Sequence, residues 1–393
     1  MTTLGYPTSY SRPPRSRFGR ALGRESFLRR FDWLLFGAAL TLSVLGALLV
    51  YSATRNVGPG EDPQGYLKRH GLNLALGLLL GAMTTWFDYR QLRAYAPIVY
   101  VGSILGLIAV LSPLGSTING AHAWILLPGG FSLQPSEFAK VALVVGLAML
   151  LAERRDAQTE PQGRDVLVAL GIAAVPLALV MLQPDLGTAV VMGMIVLGIL
   201  TVAGTRLTWL AALLVGGALA AFVAVKVGVL DQYQIDRLLA FTNPNLDPQG
   251  IGYNTNQARI AIGSGGLWGV GLFQGSQTSG QFVPEQQTDF VYTVAGEELG
   301  FAGSFLIIVL FGVILWRALR IAMRADDLFG TLVATGVVCW FTFQMFENIG
   351  MVTQIMPVTG VPLPFVSYGG SSMFANWMAI GLLENVHLRR AIR

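Results

Sequence analysis

Four carboxylates lie within one short stretch of this 393-residue chain. The segment "FVPEQQTDFVYTVAGEELG", residues 282–300, contains Glu285, Asp289, Glu297 and Glu298. Charged residues make up only 12% of the chain and hydrophobic residues 53%, so a concentration of acids in one place is unusual. Carboxylates gathered in this way are candidates for acid and base chemistry.

The four acids differ in their sequence surroundings. Asp289 stands where a polar region enters an apolar run, and there a carboxylate can stay ionised and act as a general base. The alternative for Asp289 is an acid at a helix N-terminus, stabilised by the helix dipole. Glu297 and Glu298 lie two to three turns further into the apolar run, where an unpaired charge is costly, so we expect bonds to neighbouring helices and a supporting role. Glu285 is expected to shape the loop.

Two other motifs carry charge next to apolar residues. In "QPSEFAK", Glu137 and Lys140 are three residues apart and can neutralise one another on a helix, although a charged pair inside a membrane is also a functional-site hypothesis. In "QPDLGTA", Gln183 and Asp185 fall in a very short turn between two apolar runs and are candidate substrate-binding residues. Asp185 could instead be a helix N-cap beside Pro184.

The segment "IGSGGLWGVG", residues 262–271, is rich in glycine. Its Ser264, Gly265 and Gly266 could let backbone amides approach a phosphate. The segment lacks the GK[ST] ending of a nucleotide-binding P-loop, which argues against ATP chemistry.

A proline- and glycine-rich stretch, "MPVTGVPLPFVSYGGSS" at residues 356–372, precedes the last apolar run. It includes Ser367 and Tyr368, which are candidate substrate-binding residues. Irregular backbone at membrane depth is tolerated only where it is buried in protein or lines a cavity. The stretch therefore predicts the wall of a re-entrant cavity, with an ordinary loop as the alternative.

The elements that must position these residues are apolar runs of about 20 residues. Ten such windows are centred near residues 42, 78, 104, 143, 174, 196, 218, 303, 340 and 376. They predict an all-α polytopic membrane protein with ten transmembrane helices. The single cysteine, Cys339, lies in one of these runs and provides neither a disulfide nor a cysteine metal site.

The distribution of basic residues predicts the orientation. An even number of spans leaves both termini on one side, and 19 of the 26 Lys and Arg residues fall on that side, seven of them in the first thirty residues. The positive-inside rule therefore predicts cytoplasmic termini, and the same anchors account for the basic pI without nucleic-acid binding. Residues 1–31 are expected to be a disordered basic tail and 32–390 the membrane domain. Residues 231–288 form a large extracytoplasmic loop, and the first outer loop, residues 54–70, is expected only to connect.

In this topology the polar residues named above converge on the extracytoplasmic side. They resemble, in order, the motifs of the SEDS family (shape, elongation, division and sporulation proteins): "FSLQPSEFAK", "QPDLGTA", "DPQGIGYNTNQARIAIGSGGLWGVG", "PEQQTDFVYTVAGEELG" and "NIGMVTQIMPVTGVPLPFVSYGGSS". With the span count, the resemblance covers most of residues 32–390. The wording "PVTGVPLPFVSYGG" is more similar to the elongation branch of the family than to the division branch.

The resemblance implies a peptidoglycan glycosyltransferase of the bacterial cytoplasmic membrane. Such an enzyme polymerises lipid II onto polyprenyl-linked glycan at the outer membrane face, with a class B penicillin-binding protein as its transpeptidase partner. It implies that Asp289 is the catalytic residue, that Glu137 and Lys140 form a supporting pair, and that Mg²⁺ or Mn²⁺ takes part, with Asp289 as a candidate ligand. The chain departs from the family at Val270, Gln286 and Gln287, where relatives often carry cations.

We expect Asp289 to take the proton from the acceptor 4-hydroxyl as the anomeric carbon is attacked, with inversion at that carbon. Arg259, where relatives also carry a cation, and Lys140 are candidates for stabilising the departing diphosphate. Two other classes of function remain open: a transporter that flips lipid II, and a non-catalytic scaffold for a cell-wall synthase.

Overall fold

The computed structural model describes residues 27–56, 64–118, 120–128, 131–155, 161–227 and 251–390. Within them the chain is mostly helical. The helices are α1 (Phe27–Arg30), α2 (Trp33–Thr54), α3 (Gly65–Trp86), α4 (Tyr89–Leu111), α5 (Pro135–Arg155), α6 (Gly163–Met181), α7 (Leu186–Val202), α8 (Leu207–Val227), α9 (Ile251–Gly265), α10 (Ser276–Ser279), α11 (Val291–Glu298), α12 (Gly300–Met323), α13 (Leu328–Val352) and α14 (Gly370–Arg389). Three short strands lie between α4 and α5.

The centre of each of the ten predicted apolar windows falls within one of the long helices α2 to α8 and α12 to α14. Six of these, α2, α4, α5, α6, α12 and α13, are long and apolar enough to cross a membrane. Helices α7 and α8 have shorter apolar stretches. The prediction of a multi-pass helical membrane protein is therefore confirmed.

Several helices begin at an aspartate that caps the first turn. The carboxylates of Asp32, Asp88, Asp185 and Asp327 each accept a hydrogen bond from a backbone amide at the start of the following helix. Such caps satisfy amides that have no partner within the helix. Some of the few acidic residues in this chain therefore have a structural role as helix N-caps.

Helices α5 and α13 form the centre of the bundle. Along their apolar windows, 83% of the residues of α5 and 67% of those of α13 are buried inside the protein. Helix α14 packs along α3 and also contacts α5 and α13. This arrangement holds the start of α5, the end of α13 and the start of α14 side by side.

The segment between α4 and α5 corrects the expectation of an all-α fold. Strands β1 (Ser116–Ile118), β2 (Ala121–Leu127) and β3 (Phe131–Leu133) form an antiparallel sheet in that order. The sequence signal for this sheet was the Asn-Gly pair at positions 119 and 120, a dipeptide typical of tight hairpin turns. Apolar windows of about 20 residues cannot reveal strands of three or seven residues.

The eighth predicted span consists of two helices. Gly300 follows α11 with φ of +65°, a conformation that residues with a Cβ rarely adopt. A Cβ at Gly300 would also overlap the backbone amide of Gly269. Glu297 and Glu298 therefore lie at the end of a short helix and not two to three turns inside a continuous span.

The predicted disordered tail and large outer loop are covered only in part. Residues 1–26 and 231–250 lie outside the described residues. The end of the predicted tail, Phe27–Arg30, is helical. The second half of the predicted loop contains α9 and α10, and α9 packs against α11.

Candidate functional site

A cavity of about 660 Å³ lies at the end of the bundle where α3, α5, α7 and α14 begin. Its lining combines polar side chains, three acids, one arginine and an apolar wall from the small sheet. The polar and charged lining residues are Tyr66, Arg69, Asn73, Ser132, Gln134, Asp185, Thr188, Glu285, Gln287, Thr288, Asp289, Thr359, Tyr368 and Ser372. The cavity therefore receives residues from segments that are far apart in the sequence.

Asp289 lines this cavity from the turn that precedes α11, and it is half-buried. The N-cap residue of α11 is Phe290, so Asp289 lies one position before the N-cap. Glu285 lines the same cavity, and its carboxylate accepts a hydrogen bond from the Thr288 hydroxyl at 3.1 Å. Asp289 thus lies on a turn that borders the cavity, and Glu285 braces the same turn.

The predicted cavity wall, residues 356–372, fixes the turn that carries Asp289. The Ser367 hydroxyl donates to the backbone carbonyl of Thr288 at 2.5 Å, and the Tyr368 amide donates to the Gln287 carbonyl at 2.9 Å. Tyr368 lines the cavity, whereas Ser367 lies behind it and also accepts a hydrogen bond from the Leu363 amide. The stretch is thus a cavity wall, and Ser367 is a positioning residue in it.

Asp185 is the helix N-cap that the sequence allowed, and it also faces the cavity. One carboxylate oxygen caps α7 by accepting from the Thr188 amide at 3.0 Å. The other accepts from the side-chain amide of Gln134 at 3.2 Å, and Asp185 also lines the cavity. Gln183 behaves differently, because its side-chain amide donates to the Leu107 carbonyl at 3.0 Å and the residue is fully buried outside the cavity.

Glu137 and Lys140 form the buried ion pair that their spacing predicts. The Lys140 ammonium donates to Glu137 at 2.7 Å, and each side chain is only 1% exposed. Lys140 also donates to the Gln344 side-chain oxygen at 2.9 Å and lies 4.8 Å from the centre of the Trp340 ring. With three partners at this depth, Lys140 does not line the cavity, so it cannot bind a diphosphate there.

The buried pair is connected to the cavity through one glutamine. Gln344, on α13, accepts from Lys140 and donates its amide to the Pro362 carbonyl at 2.8 Å. Pro362 is a cavity-lining residue. Glu137 and Lys140 therefore act as positioning residues that join α5, α13 and the cavity wall.

The glycine-rich segment does not approach the cavity, and the suggestion that Ser264, Gly265 and Gly266 bind phosphate is corrected. Residues 262–265 are the end of α9, and none of 262–271 lines the cavity. The amides of Val270 and Gly271 donate to the carbonyls of Glu297 and Glu298. The glycines serve close packing, because a Cβ at Gly265 would overlap the backbone of α11.

Glu297 and Glu298 support this packing, as expected. Glu297 accepts from the backbone amides of Gln277 and Thr278, each at 2.8 Å, and from the Thr278 hydroxyl at 2.7 Å. Glu298 accepts from the Ser52 hydroxyl on α2 at 2.5 Å. Neither glutamate lines the cavity.

The cation at the cavity is Arg69 and not Arg259. Arg259 is exposed on α9 and is not a lining residue. Arg69 lies in the first turns of α3, lines the cavity and interacts with the Tyr368 side chain. The view that residues 54–70 only connect is therefore wrong for Tyr66 and Arg69. The sequence signal for Arg69 was the presence of basic residues just inside the start of an apolar helix.

An apolar wall completes the cavity. Trp124, Leu126 and Leu127 of β2 and Phe131 of β3 line one side, together with Leu76 of α3. Leu126 is 60% exposed and Leu127 is 44% exposed, so this wall presents apolar surface. An apolar surface beside acids and an arginine suits an amphiphilic ligand with a lipid chain and a charged head.

Long apolar helices in a bundle, with a polar cavity at one end, define a multi-pass membrane protein. A family model described as a cell cycle protein family, FtsW/RodA/SpoVE, matches residues 32–392. The chain belongs to this family, which confirms the resemblance drawn from the motifs.

Curated relatives span nearly the whole chain. Stage V sporulation protein E of Bacillus subtilis is 40% identical over 359 residues, covering 90% of this chain and 96% of the relative. The peptidoglycan glycosyltransferase MrdB of Escherichia coli is 37% identical over 352 residues, covering 89% and 93%. A probable peptidoglycan glycosyltransferase FtsW of Trichlorobacter lovleyi is 36% identical over 362 residues, covering 91% and 93%. The expected enzyme class, peptidoglycan glycosyltransferase, is confirmed for the family to which the chain belongs.

Solved structures agree with this assignment. A chain from a peptidoglycan synthase complex, described as coordinating polymerization and crosslinking, aligns with a TM-score of 0.74 at 32% identity and covers 91% of this chain and 97% of that one. The rod shape determining protein RodA of Thermus thermophilus aligns with a TM-score of 0.67 at 31% identity, covering 92% and 98%.

Proposed function

We propose that this protein polymerises lipid II into glycan strands at the outer face of the cytoplasmic membrane, with Asp289 as the general base. The observation that carries the proposal is the joint lining of one cavity by Asp289, Arg69 and an apolar wall. Lipid II has a polyprenyl chain, a diphosphate and a sugar, so an enzyme that joins two such molecules needs an apolar surface, a cation and a base together. Family membership supports the same chemistry.

We infer ten spans with both termini in the cytoplasm. Arginines gather at the helix ends opposite the cavity, which fits the positive-inside rule with the cavity facing out. Among the described side chains these arginines are Arg29, Arg30, Arg90, Arg93, Arg164, Arg206, Arg317, Arg320, Arg324, Arg389 and Arg390.

In the proposed reaction, the acceptor 4-hydroxyl oxygen attacks the anomeric carbon of the donor. The proton of that hydroxyl passes to the Asp289 carboxylate, and the bond from the anomeric carbon to the diphosphate breaks. A single displacement inverts the anomeric carbon. Asp289 is held for this task by the hydrogen bonds that fix residues 287 and 288 to the cavity wall.

Negative charge develops on the departing polyprenyl diphosphate, and Arg69 is the group we assign to it. A guanidinium can bind phosphate oxygens through two parallel hydrogen bonds. Among the described residues that line the cavity, Arg69 is the only lysine or arginine. Arg69 replaces Arg259 and Lys140 in this role.

A divalent cation, expected from the family resemblance, fits this site only in part. Within the described residues no group of three His, Cys, Asp or Glu side chains could hold a metal. Magnesium is often held by one or two carboxylates together with substrate phosphates, and Asp289 is the carboxylate we assign to that arrangement. When bound, the ion would neutralise charge on the diphosphate.

We propose a class B penicillin-binding protein as partner. Support comes from the structural neighbour that belongs to a peptidoglycan synthase complex. The elongation role is proposed from the sequence motif at residues 356–372 alone. Stage V sporulation protein E, FtsW and MrdB relatives are 40%, 36% and 37% identical to this chain, so identity does not distinguish between the branches of the family. Depletion in the native bacterium tests this role, since rounded cells are expected and filaments would contradict it.

A lipid II flippase is the second candidate, and the arrangement of the core argues against it. The outer cavity and a basic cavity at the opposite end have no lining residue in common. Fully buried side chains such as Trp340 and Trp377 fill the bundle between the helix ends. A flippase would move labelled lipid II between the leaflets of protein-containing vesicles without forming glycan.

The deciding experiment is a glycan-ladder assay. Wild type, Asp289→Asn and Glu285→Gln are each purified with a class B penicillin-binding protein and supplied with labelled lipid II and Mg²⁺. Glu285 is the matched control, since it is an acid on the same turn and in the same cavity. We expect Asp289→Asn to lower the rate by about 100-fold or more and Glu285→Gln by much less. Full activity of a folded Asp289→Asn variant would refute the assignment. A variant that assembles normally yet is inactive would argue against the scaffold alternative.

A further inference from the structure

A second cavity, of about 800 Å³, lies at the opposite end of the bundle, where the two termini of the membrane domain meet. It is bounded by α1, the start of α2, the end of α12, the turn after α12 and the end of α14. Five arginines from these elements line it: Arg29, Arg30, Arg317, Arg324 and Arg390. We refer to it as the basic cavity.

Positive charge in the basic cavity exceeds negative charge. Its described lining residues include two acids, Asp32 and Asp326, against five arginines, so among them the excess is three positive charges. Asp32 is already occupied, because Arg317 binds it at 2.5 Å and the Asp32 side chain is only 2% exposed. The other four lining arginines outnumber the one other carboxylate among the described lining residues, that of Asp326.

The arginines are close enough to repel one another. Burial, together with the nearby charges of Arg324 and Arg317, lowers the pKa of Arg390 from its ordinary value. A bound anion would offset this repulsion. A phosphate group fits best, because guanidinium groups match its oxygen geometry.

The rim of the basic cavity is apolar on the membrane side. Trp33 is 57% exposed and Met323 is 76% exposed, and both line the cavity. Tryptophan is enriched at the boundary between hydrocarbon and headgroups. An apolar rim next to arginines favours a ligand that has both a phosphate and acyl chains over a free phosphate ion.

We propose that the basic cavity binds the headgroup phosphate of an anionic phospholipid of the inner leaflet. Basic cavities between membrane helices on the cytoplasmic side bind such headgroups in other proteins. The assignment to the inner leaflet rests on the proposed topology, whereas the site itself is independent of Asp289. Lipid bound there joins the N-terminal segment to the ends of α12 and α14.

The test compares two double variants that remove equal charge from the same end of the protein. Arg324→Ala with Arg390→Ala removes two lining arginines. Arg93→Ala with Arg320→Ala is the control, since neither residue lines the cavity and Arg320 stacks on Trp316 at 4.4 Å. Purified proteins are titrated with phosphatidylglycerol, phosphatidylcholine or millimolar inorganic phosphate. Bound lipid is counted by native mass spectrometry and thermal unfolding is measured alongside.

Phosphatidylglycerol is expected to bind wild type and raise its unfolding temperature, and phosphatidylcholine is not. The lining variant should bind phosphatidylglycerol about ten- to thirty-fold more weakly, while the control stays close to wild type. Equal losses in both variants would overturn the proposal in favour of general surface charge. Inorganic phosphate that reproduces the stabilisation would overturn the lipid assignment. The glycan ladder from the lining variant should persist, so this test can fail without affecting the proposed function.

Discussion

The side-chain amide of Asn348 donates to the backbone carbonyl of Asp289 at 2.8 Å. The same amide donates to the Val361 carbonyl at 2.7 Å, and Asn348 is fully buried near the end of α13. One side chain thus joins the most buried region of the bundle to the acid and to the cavity wall. The backbone of Asp289 is therefore held in part by a residue that does not line the cavity.

Replacing Asn348 with leucine keeps its approximate size and removes both donated hydrogen bonds. We expect kcat for glycan synthesis to fall by about ten-fold or more, because small misplacements of a reacting group are costly, while KM for lipid II changes little. Steady-state kinetics with labelled lipid II measure both constants. A change in KM alone would indicate that Asn348 acts on substrate binding and not on Asp289.

The Glu137 and Lys140 pair should behave as a buried ion pair in which each charge depends on the other. Lys140→Met leaves Glu137 buried without its cation, and we expect a loss of about 3–5 kcal/mol in unfolding free energy. The double variant Glu137→Leu with Lys140→Met removes both charges and should recover most of that loss. Unfolding of purified protein in detergent measures the two effects. A single variant as stable as wild type would contradict this account.

Arg69 and Arg259 are both exposed arginines, so the effects of replacing each of them can be compared directly. Arg69→Ala should lower kcat/KM about 10- to 100-fold, because a charged hydrogen bond to the diphosphate is lost. Arg259→Ala should have little effect, since Arg259 does not line the cavity. Rates from the glycan-ladder assay test both variants. A larger effect of Arg259→Ala would restore the assignment made from the motif.

Divalent cations should bind in a substrate-dependent way. No group of three ligating side chains occurs within the described part of the chain, so Mg²⁺ alone should not raise the unfolding temperature. Mg²⁺ added with lipid II should raise it, because the diphosphate supplies the missing ligands. Chelation should abolish the ladder and added Mg²⁺ restore it. Stabilisation by Mg²⁺ without substrate would indicate a protein metal site.

Much of the site could be predicted from local sequence. Glu137 and Lys140 are three residues apart, so helical geometry alone brings them together. Asp185 precedes a helix and sits in a turn, which specifies the cap, and the prolines of residues 356–372 exclude a helix there. Asp289 was identified from its position between polar and apolar residues together with its motif.

Other features depend on contacts between distant segments. Arg69 reaches the cavity because α3 packs along α14, and no spacing in the sequence contains that information. Ser264, Gly265 and Gly266 looked like a phosphate loop because glycine permits close approach. In the structure the group that approaches Gly265 is the backbone of α11. Glycine permits the close approach of a phosphate or of a backbone, so the residue type alone does not distinguish between them.

The break at Gly300 also determines how this region matches the thickness of a lipid bilayer. As one rod, α11 and α12 would have about 33 residues and a length of about 50 Å, well beyond the hydrocarbon thickness. The 24 residues of α12 alone extend about 36 Å, which a modest tilt accommodates. The eight residues of α11 are thereby withdrawn from lipid and enclosed by protein. A substitution that straightened this break would move Asp289 away from the cavity that it lines.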